Sequence, residues 1–237
     1  MATFVLVHGG GHGGWCYQRV ARLLRGAGHE VYTPTLTGLG ERSHLVGPHV
    51  DLKLHINDVV AVLHYEDLRD VILVGHSYGG MVITGVAAAT AERIGKLVFL
   101  DAANPVDGQS LVDVSGRIIE VTRETGRTVE GVELVLLPET EFYYGVTDER
   151  DQAWMRERLA GHPWQCFEQK LELVDPQGYA RIPQYHIVCT STLATRDPTL
   201  MAEAKAAGRL WDIDTGHDLM ITEPEKVADA LLAVAAD

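Results

Sequence analysis

Short, unbroken apolar runs recur along the chain, and each ends abruptly in glycine or a polar residue. Thr3 to Val7 reads TFVLV and runs into HGGG. Val71 to Val74 reads VILV and runs into GHSYGG. Lys96 to Leu100 reads KLVFL and stops at Asp101. Apolar runs of this length without polar alternation mark strands buried on both faces, as in a parallel sheet. Glu30 to Thr33 (EVYT), Tyr185 to Thr190 (YHIVCT) and Gly208 to Ile213 (GRLWDI) are three further strand candidates. Between the strands the period changes. Trp15 to Arg25 carries apolar residues at helical spacing, and Gly26 and Gly28 stop it. Leu54 to Leu63 is amphipathic, Met81 to Ala91 has the small and β-branched composition of a buried helix, and Pro224 to Ala236 closes the chain as a helix. Strands alternating with helices predict βαβ units and an α/β fold with a mostly parallel, doubly wound sheet.

One region breaks the rhythm. Between Asn104 and Pro183 no convincing buried strand is visible, only helical pieces carrying Phe142, Tyr143, Tyr144, Trp154, Trp164 and Phe167. Residues 1–104 and 184–237 therefore read as the core, and 105–183 as a small helical cap over the strand ends, where open α/β sheets bind ligands. About half of the aromatics are expected to form the cap's own core. Tyr143, Trp154 and Trp164, with Gly9, are the candidate substrate-binding residues.

The chain has 237 residues, 46% of them hydrophobic, which suits one domain with a substantial core. A formal net charge of -13 disfavours nucleic acid and anionic membrane surfaces as partners. Cys16, Cys166 and Cys189 are odd in number and widely spaced, which fits reduced thiols in a cytoplasmic protein. The opening MATFVLVHGG lacks a basic segment and is too short in apolar length for a signal peptide. No apolar stretch is long enough to span a membrane.

The chemistry concentrates where strands end. Gly75-His76-Ser77-Tyr78-Gly79 is a G-x-S-x-G match with a strand before it and a small-residue helix after it. That setting is a nucleophile elbow, a strained turn that exposes the serine hydroxyl. A serine hydroxyl needs a base. Of the 11 histidines, His217 in DTGHDLM lies between the last strand and the final helix, where a base can be delivered to the elbow. Most of the other histidines read as packed or surface residues. The developing oxyanion needs preorganised donors. The expected donors are the backbone N–H groups of Gly10, in the glycine-rich run after the first strand, and Tyr78. The same run offers no good G-x-G-x-x-G setting for a dinucleotide, and no metal site is predicted.

Taken together, FVLVHGGGHGGWCY, GHSYGGM, LVFLDAANP and GHDLM resemble the α/β-hydrolase superfamily. More narrowly, they are similar to the branch holding plant methylesterases, hydroxynitrile lyases and small bacterial esterases. The resemblance spans essentially the whole chain and is weak in the cap. It implies a carboxylic-ester hydrolase without cofactor, working through an acyl-enzyme. The lyases of this branch carry lysine directly after the catalytic histidine and threonine after the first-strand histidine. Asp218 and Gly9 stand there instead, which argues against cyanohydrin cleavage.

A third departure concerns the acid. The family's usual acid follows the penultimate strand, but Cys189-Thr190-Ser191-Thr192 contains none. Asp101, at the end of KLVFLD, is one candidate, since some lipases and dehalogenases resemble that pattern. Asp197, in TRDP, is the other. Asp101 requires only that its strand end where the apolar run ends, whereas Asp197 requires a loop to fold back. The expectation is a serine esterase for a small apolar or aromatic ester or lactone, with Ser77, His217 and Asp101 as its triad. The expected partner is that small-molecule substrate, and no oligomeric state is specified. A lyase or cofactor-free dioxygenase on the same fold, and a hydrolase-fold ligand receptor, are the rival readings.

Overall fold

The computed structural model of the chain describes residues 1–124, 126–135 and 144–237, with all of their side chains except those of residues 117 and 118. Its strands are β1 (Thr3–Val7), β2 (Glu30–Tyr32), β3 (Val71–His76), β4 (Ile94–Leu100), β5 (Arg127–Val129), β6 (Val132–Val135), β7 (His162–Pro163), β8 (Gln184–Cys189) and β9 (Leu210–Ile213). Six of them form one sheet in the order β2-β1-β3-β4-β8-β9, and every pairing in it is parallel. Helices α1 (Gln18–Gly26), α2 (Leu52–Tyr65) and α3 (Gly79–Ala89) connect the first four strands.

Alternate residues of each strand feed opposite cores. Val5, Val7, Leu73, Leu97 and Phe99 pack with Val59, Leu63, Val82 and Val86 of α2 and α3. Phe4, Leu6, Ile72, Val74, Val98 and Leu100 pack with Val20 and Leu24 of α1 and with Val227, Leu231 and Val234 of the closing helix Pro224–Ala236. Coverage on both faces is why these strands read as continuous apolar runs.

The strand order reverses between β1 and β3, so the loops that follow these strands emerge side by side. This is the topological switch point at which α/β sheets place their ligands. Val7 lies opposite Gly75 in the register, which brings the HGGG loop against the turn that carries Ser77.

The segment between β4 and β8 corrects one expectation. It contains helices, among them Leu111–Ser115, Arg117–Glu124 and Glu149–Arg156, but also an antiparallel sheet in the order β5-β6-β7. β5 is exposed at all three residues and β7 is two residues long. Strands this short and this wet leave no apolar run to read. Among the described residues, no helix is long and apolar enough to cross a membrane.

Candidate active site

Ser77 sits between β3 and α3 with φ at 53°, a conformation that costs a non-glycine residue of order 1–3 kcal/mol. The turn is held from both sides, because the Ser77 carbonyl accepts from Gly80 N and Ala103 N, each at 3.0 Å. Its glycines are required by close approach. A Cβ on Gly75 would stand 2.5 Å from the Gly79 carbonyl oxygen, and one on Gly80 would stand 1.9 Å from that of Ala103. The G-x-S-x-G spacing is thus the condition for a tight strand-to-helix turn that lifts one hydroxyl.

His217 follows β9, and its Nδ1 lies 2.5 Å from Oδ2 of Asp101, at the end of β4. The Asp101 side chain is wholly buried, while that of His217 keeps 14% of its surface exposed. The other carboxylate oxygen of Asp101, Oδ1, accepts from Thr192 Oγ1 at 2.5 Å and from Cys189 N at 3.2 Å, and pairs with Arg196 Nη2 at 2.7 Å. Burial alone would raise the Asp101 carboxyl. The hydrogen bond and charge of His217, the Arg196 guanidinium and the Thr192 hydroxyl outweigh it and hold the group well below the usual carboxylate range. Asp197 is engaged elsewhere. It is exposed and caps the helix Pro198–Ala206, accepting from Thr199 N at 2.8 Å and Leu200 N at 3.0 Å.

Ser77, Asp101 and His217 line one cavity of about 420 Å3, whose other walls include Ala103, Leu111, Val114, Ile119 and Arg196. On its other side Ser77 borders a narrow crevice together with Gly10, Tyr78, Tyr144 and Phe167. A Cβ on Gly9 would come within 2.8 Å of the Ser77 Cβ, so a bare backbone is needed there. The Tyr78 ring is buried and its hydroxyl donates to His55 Nδ1 at 2.9 Å, because His55 uses Nε2–H on the Thr37 carbonyl.

The aromatic candidates fare differently. Tyr143 lies outside the described residues. Trp154 packs edge-on against Trp15, between Arg19 and Arg158, and Trp164 packs under Arg123 and donates to Glu168. Neither indole is among the residues lining the cavity or the crevice at Ser77. The aliphatic part of the described cavity wall is supplied by Leu111, Val114 and Ile119 from the short helices after β4, beside the polar Ser115, Thr192, Thr195 and Arg196.

Sequence reasoning missed a second acid–imidazole pair. His12 Nε2 lies 3.0 Å from Asp218 Oδ2, with both side chains buried. His12 Nδ1 donates to the Gly10 carbonyl at 2.8 Å, and His76 Nε2 donates to the His217 carbonyl at 2.9 Å. Burial pushes His12 down, but the Asp218 charge and hydrogen bond raise it above its ordinary value. Burial holds His76 neutral, near a pKa of about 3. The available signal was His12 itself, a histidine inside a run of glycines. The donor atoms of His55, His162 and Cys166 lie within 4.8 Å of one another, the spacing a metal needs. Both His55 nitrogens are already hydrogen-bonded, and burial pushes the Cys166 thiol well above its ordinary value. His162 accepts from Gly11 N through Nδ1, so its Nε2 carries the proton, and the set reads as a packed core cluster.

A family model described as "Alpha/beta hydrolase family" matches residues 4–230. The chain belongs to the α/β hydrolase family. A full-length relative, a carbendazim-hydrolysing esterase from Nocardioides sp. (strain SG-4G), is 38% identical over 249 residues, covering 99% of this chain and 100% of the relative. On this footing the protein is a carboxylic-ester hydrolase. An extracellular α/β-hydrolase from a Paenibacillus species, reported as a structural and functional homologue of tobacco salicylic acid binding protein 2, superposes with a TM-score of 0.78 at 25% identity, covering 98% of each chain. A methylesterase from Arabidopsis shares the fold, with a TM-score of 0.76 at 21% identity over 100% of this chain and 99% of its own.

Proposed function

We propose that the protein is a serine esterase that cleaves a small apolar or aromatic carboxylic ester, or a lactone, through an acyl-enzyme. The observation that carries this is the hydrogen bond from His217 Nδ1 to buried Asp101, at the cavity that Ser77 also lines. With Nδ1–H committed to the carboxylate, Nε2 is the lone-pair nitrogen, as a general base requires. Ser77 Oγ attacks the ester carbonyl while its proton passes to His217 Nε2. The backbone N–H groups of Gly10 and Tyr78 receive the oxyanion. The imidazolium then gives its proton to the departing alcohol, leaving the acyl group on Ser77. Water, deprotonated by the same imidazole, releases the acid. Asp101 stabilises the imidazolium throughout.

An aliphatic wall and a cavity of about 420 Å3 support a small, largely apolar substrate. Carbendazim, for which the 38% identical relative is named, is the first compound to assay. Three buried free thiols support a reducing, cytoplasmic setting. Ser77→Ala is expected to remove turnover of p-nitrophenyl acetate, and the wild-type enzyme to show an acyl-enzyme burst. Full activity in Ser77→Ala would end the proposal. Oxygen uptake without ester turnover would favour the dioxygenase alternative, and tight ligand binding with negligible turnover would favour a receptor.

A further inference from the structure

Arg196 holds a guanidinium against the buried Asp101 carboxylate. Asp101 divides its two oxygens between two partners of opposite demand. Oδ2 takes the His217 N–H, whereas Oδ1 takes Arg196 Nη2 at 2.7 Å. The second arm of the guanidinium, Nη1, donates to the Ala102 carbonyl at 2.7 Å, so the fork grips both the side chain of residue 101 and the backbone of 102. Arg196 also lines the cavity at Ser77, with its side chain 20% exposed. Its position is fixed from the next residue, because Asp197 caps the helix Pro198–Ala206 and ends the loop there.

We propose that Arg196 is a positioning residue for the Asp101–His217 pair, locking the carboxylate in register and offsetting part of its charge. This rests on the serine-esterase reading for its link to turnover, but not for the titration of His217. The sign follows from Coulomb's law. A carboxylate favours imidazolium, and a guanidinium held on that carboxylate opposes it.

Among the described residues, other charged and titratable groups also face the pair. His76 of β3 lies tilted against His217, with ring centroids 4.7 Å apart, and is neutral. Asp218 is adjacent in sequence and is committed to His12. The Tyr144 ring lies 6.5 Å from His217. The thiol of Cys189 donates to Asp101 Oδ2 at 3.2 Å, and burial raises its pKa. On the Arg196 side, Asp197 turns to its own helix, and burial, with help from Arg196, keeps His186 neutral, at about 4. Among the described residues, Arg196 is the permanent cation that reaches Asp101.

The test is Arg196→Gln beside Arg196→Lys, read two ways: the acidic limb of kcat/KM against pH, and NMR titration of the His217 imidazole without substrate, assigned by its loss in His217→Gln. Arg196→Gln is expected to move both upward by about one pH unit. Arg196→Lys keeps the charge and should restore the limb, while kcat stays reduced because a point charge does not reproduce the fork. Arg196→Met replaces the Gln arm if that variant does not fold. An unmoved limb and an unmoved His217 titration in the uncharged variant would overturn the proposal, as would Lys and Gln variants that shift equally. If ester turnover fails altogether, the NMR titration still decides the role of Arg196.

Discussion

The molecule holds two aspartate–histidine pairs a few ångströms apart, and they differ in what surrounds them rather than in what they are. Asp101–His217 spans 2.5 Å at a cavity mouth, with the imidazole 14% exposed. Asp218–His12 spans 3.0 Å with 1% and 0% of the two side chains exposed. The first imidazole shares a cavity with Ser77. The second spends Nδ1 on the Gly10 carbonyl and Nε2 on Asp218, so it retains no lone pair for chemistry. Geometry between acid and imidazole therefore does not distinguish a catalytic pair from a structural one. What sets the Asp101–His217 pair apart is access and the serine that shares its cavity. The buried pair braces the main chain on both sides of the site, at Gly10 and beside His217.

The comparison breaks most sharply at the acids. Asp101→Asn should lower kcat/KM on a p-nitrophenyl ester by about 10^4-fold, since the wrong His217 tautomer would be held at the site. Asp218→Asn should do the reverse. Removing one partner of a buried ion pair costs about 3–5 kcal/mol of stability, readable by urea unfolding, while kcat of the folded enzyme changes far less.

The buried pair also predicts a pH window. His12 is raised above 6.5, so its stabilisation is complete below that value and is lost as pH rises through the raised one. Asp218 is lowered below 3.8, so its share is present above that value and is lost as pH falls. The stability gap between wild type and Asp218→Asn should be widest between these limits and should narrow on both sides. A gap independent of pH would show that His12 is not charged in the folded protein. The smallest effect is expected at Asp197. Asp197→Ala should lose about 1 kcal/mol as an N-cap and leave kcat/KM within a few-fold.

Much of this was legible because burial on both faces writes itself into sequence. β1 and the closing helix were readable to the residue, and β3 and β4 to within two. The elbow was legible because a strained turn forces glycine at 75 and 79 around Ser77. The small sheet β5-β6-β7 was not, since three exposed residues and a two-residue strand carry no period. The choice between Asp101 and Asp197 was open in sequence because one ends an apolar run, the other precedes a proline, and neither position shows which reaches His217. Only the third dimension shows that Asp197 is used by its own helix, while Asp101 meets a histidine 116 residues away. The His12–Asp218 pair was illegible for the same reason: 206 residues separate its members. The packing of Trp154 and Trp164 on arginines and neighbouring rings was not legible either, because an aromatic in an insertion packs on cations as readily as it lines a pocket.

The most direct test compares fluorophosphonate labelling rates, read by intact and peptide mass spectrometry, in wild type, Asp101→Asn and Asp218→Asn. The label should fall on Ser77, slow by orders of magnitude in Asp101→Asn, and stay within about tenfold of wild type in Asp218→Asn. Label on another residue, or equal slowing in the two variants, would contradict the claim that the Asp101–His217 pair alone activates Ser77.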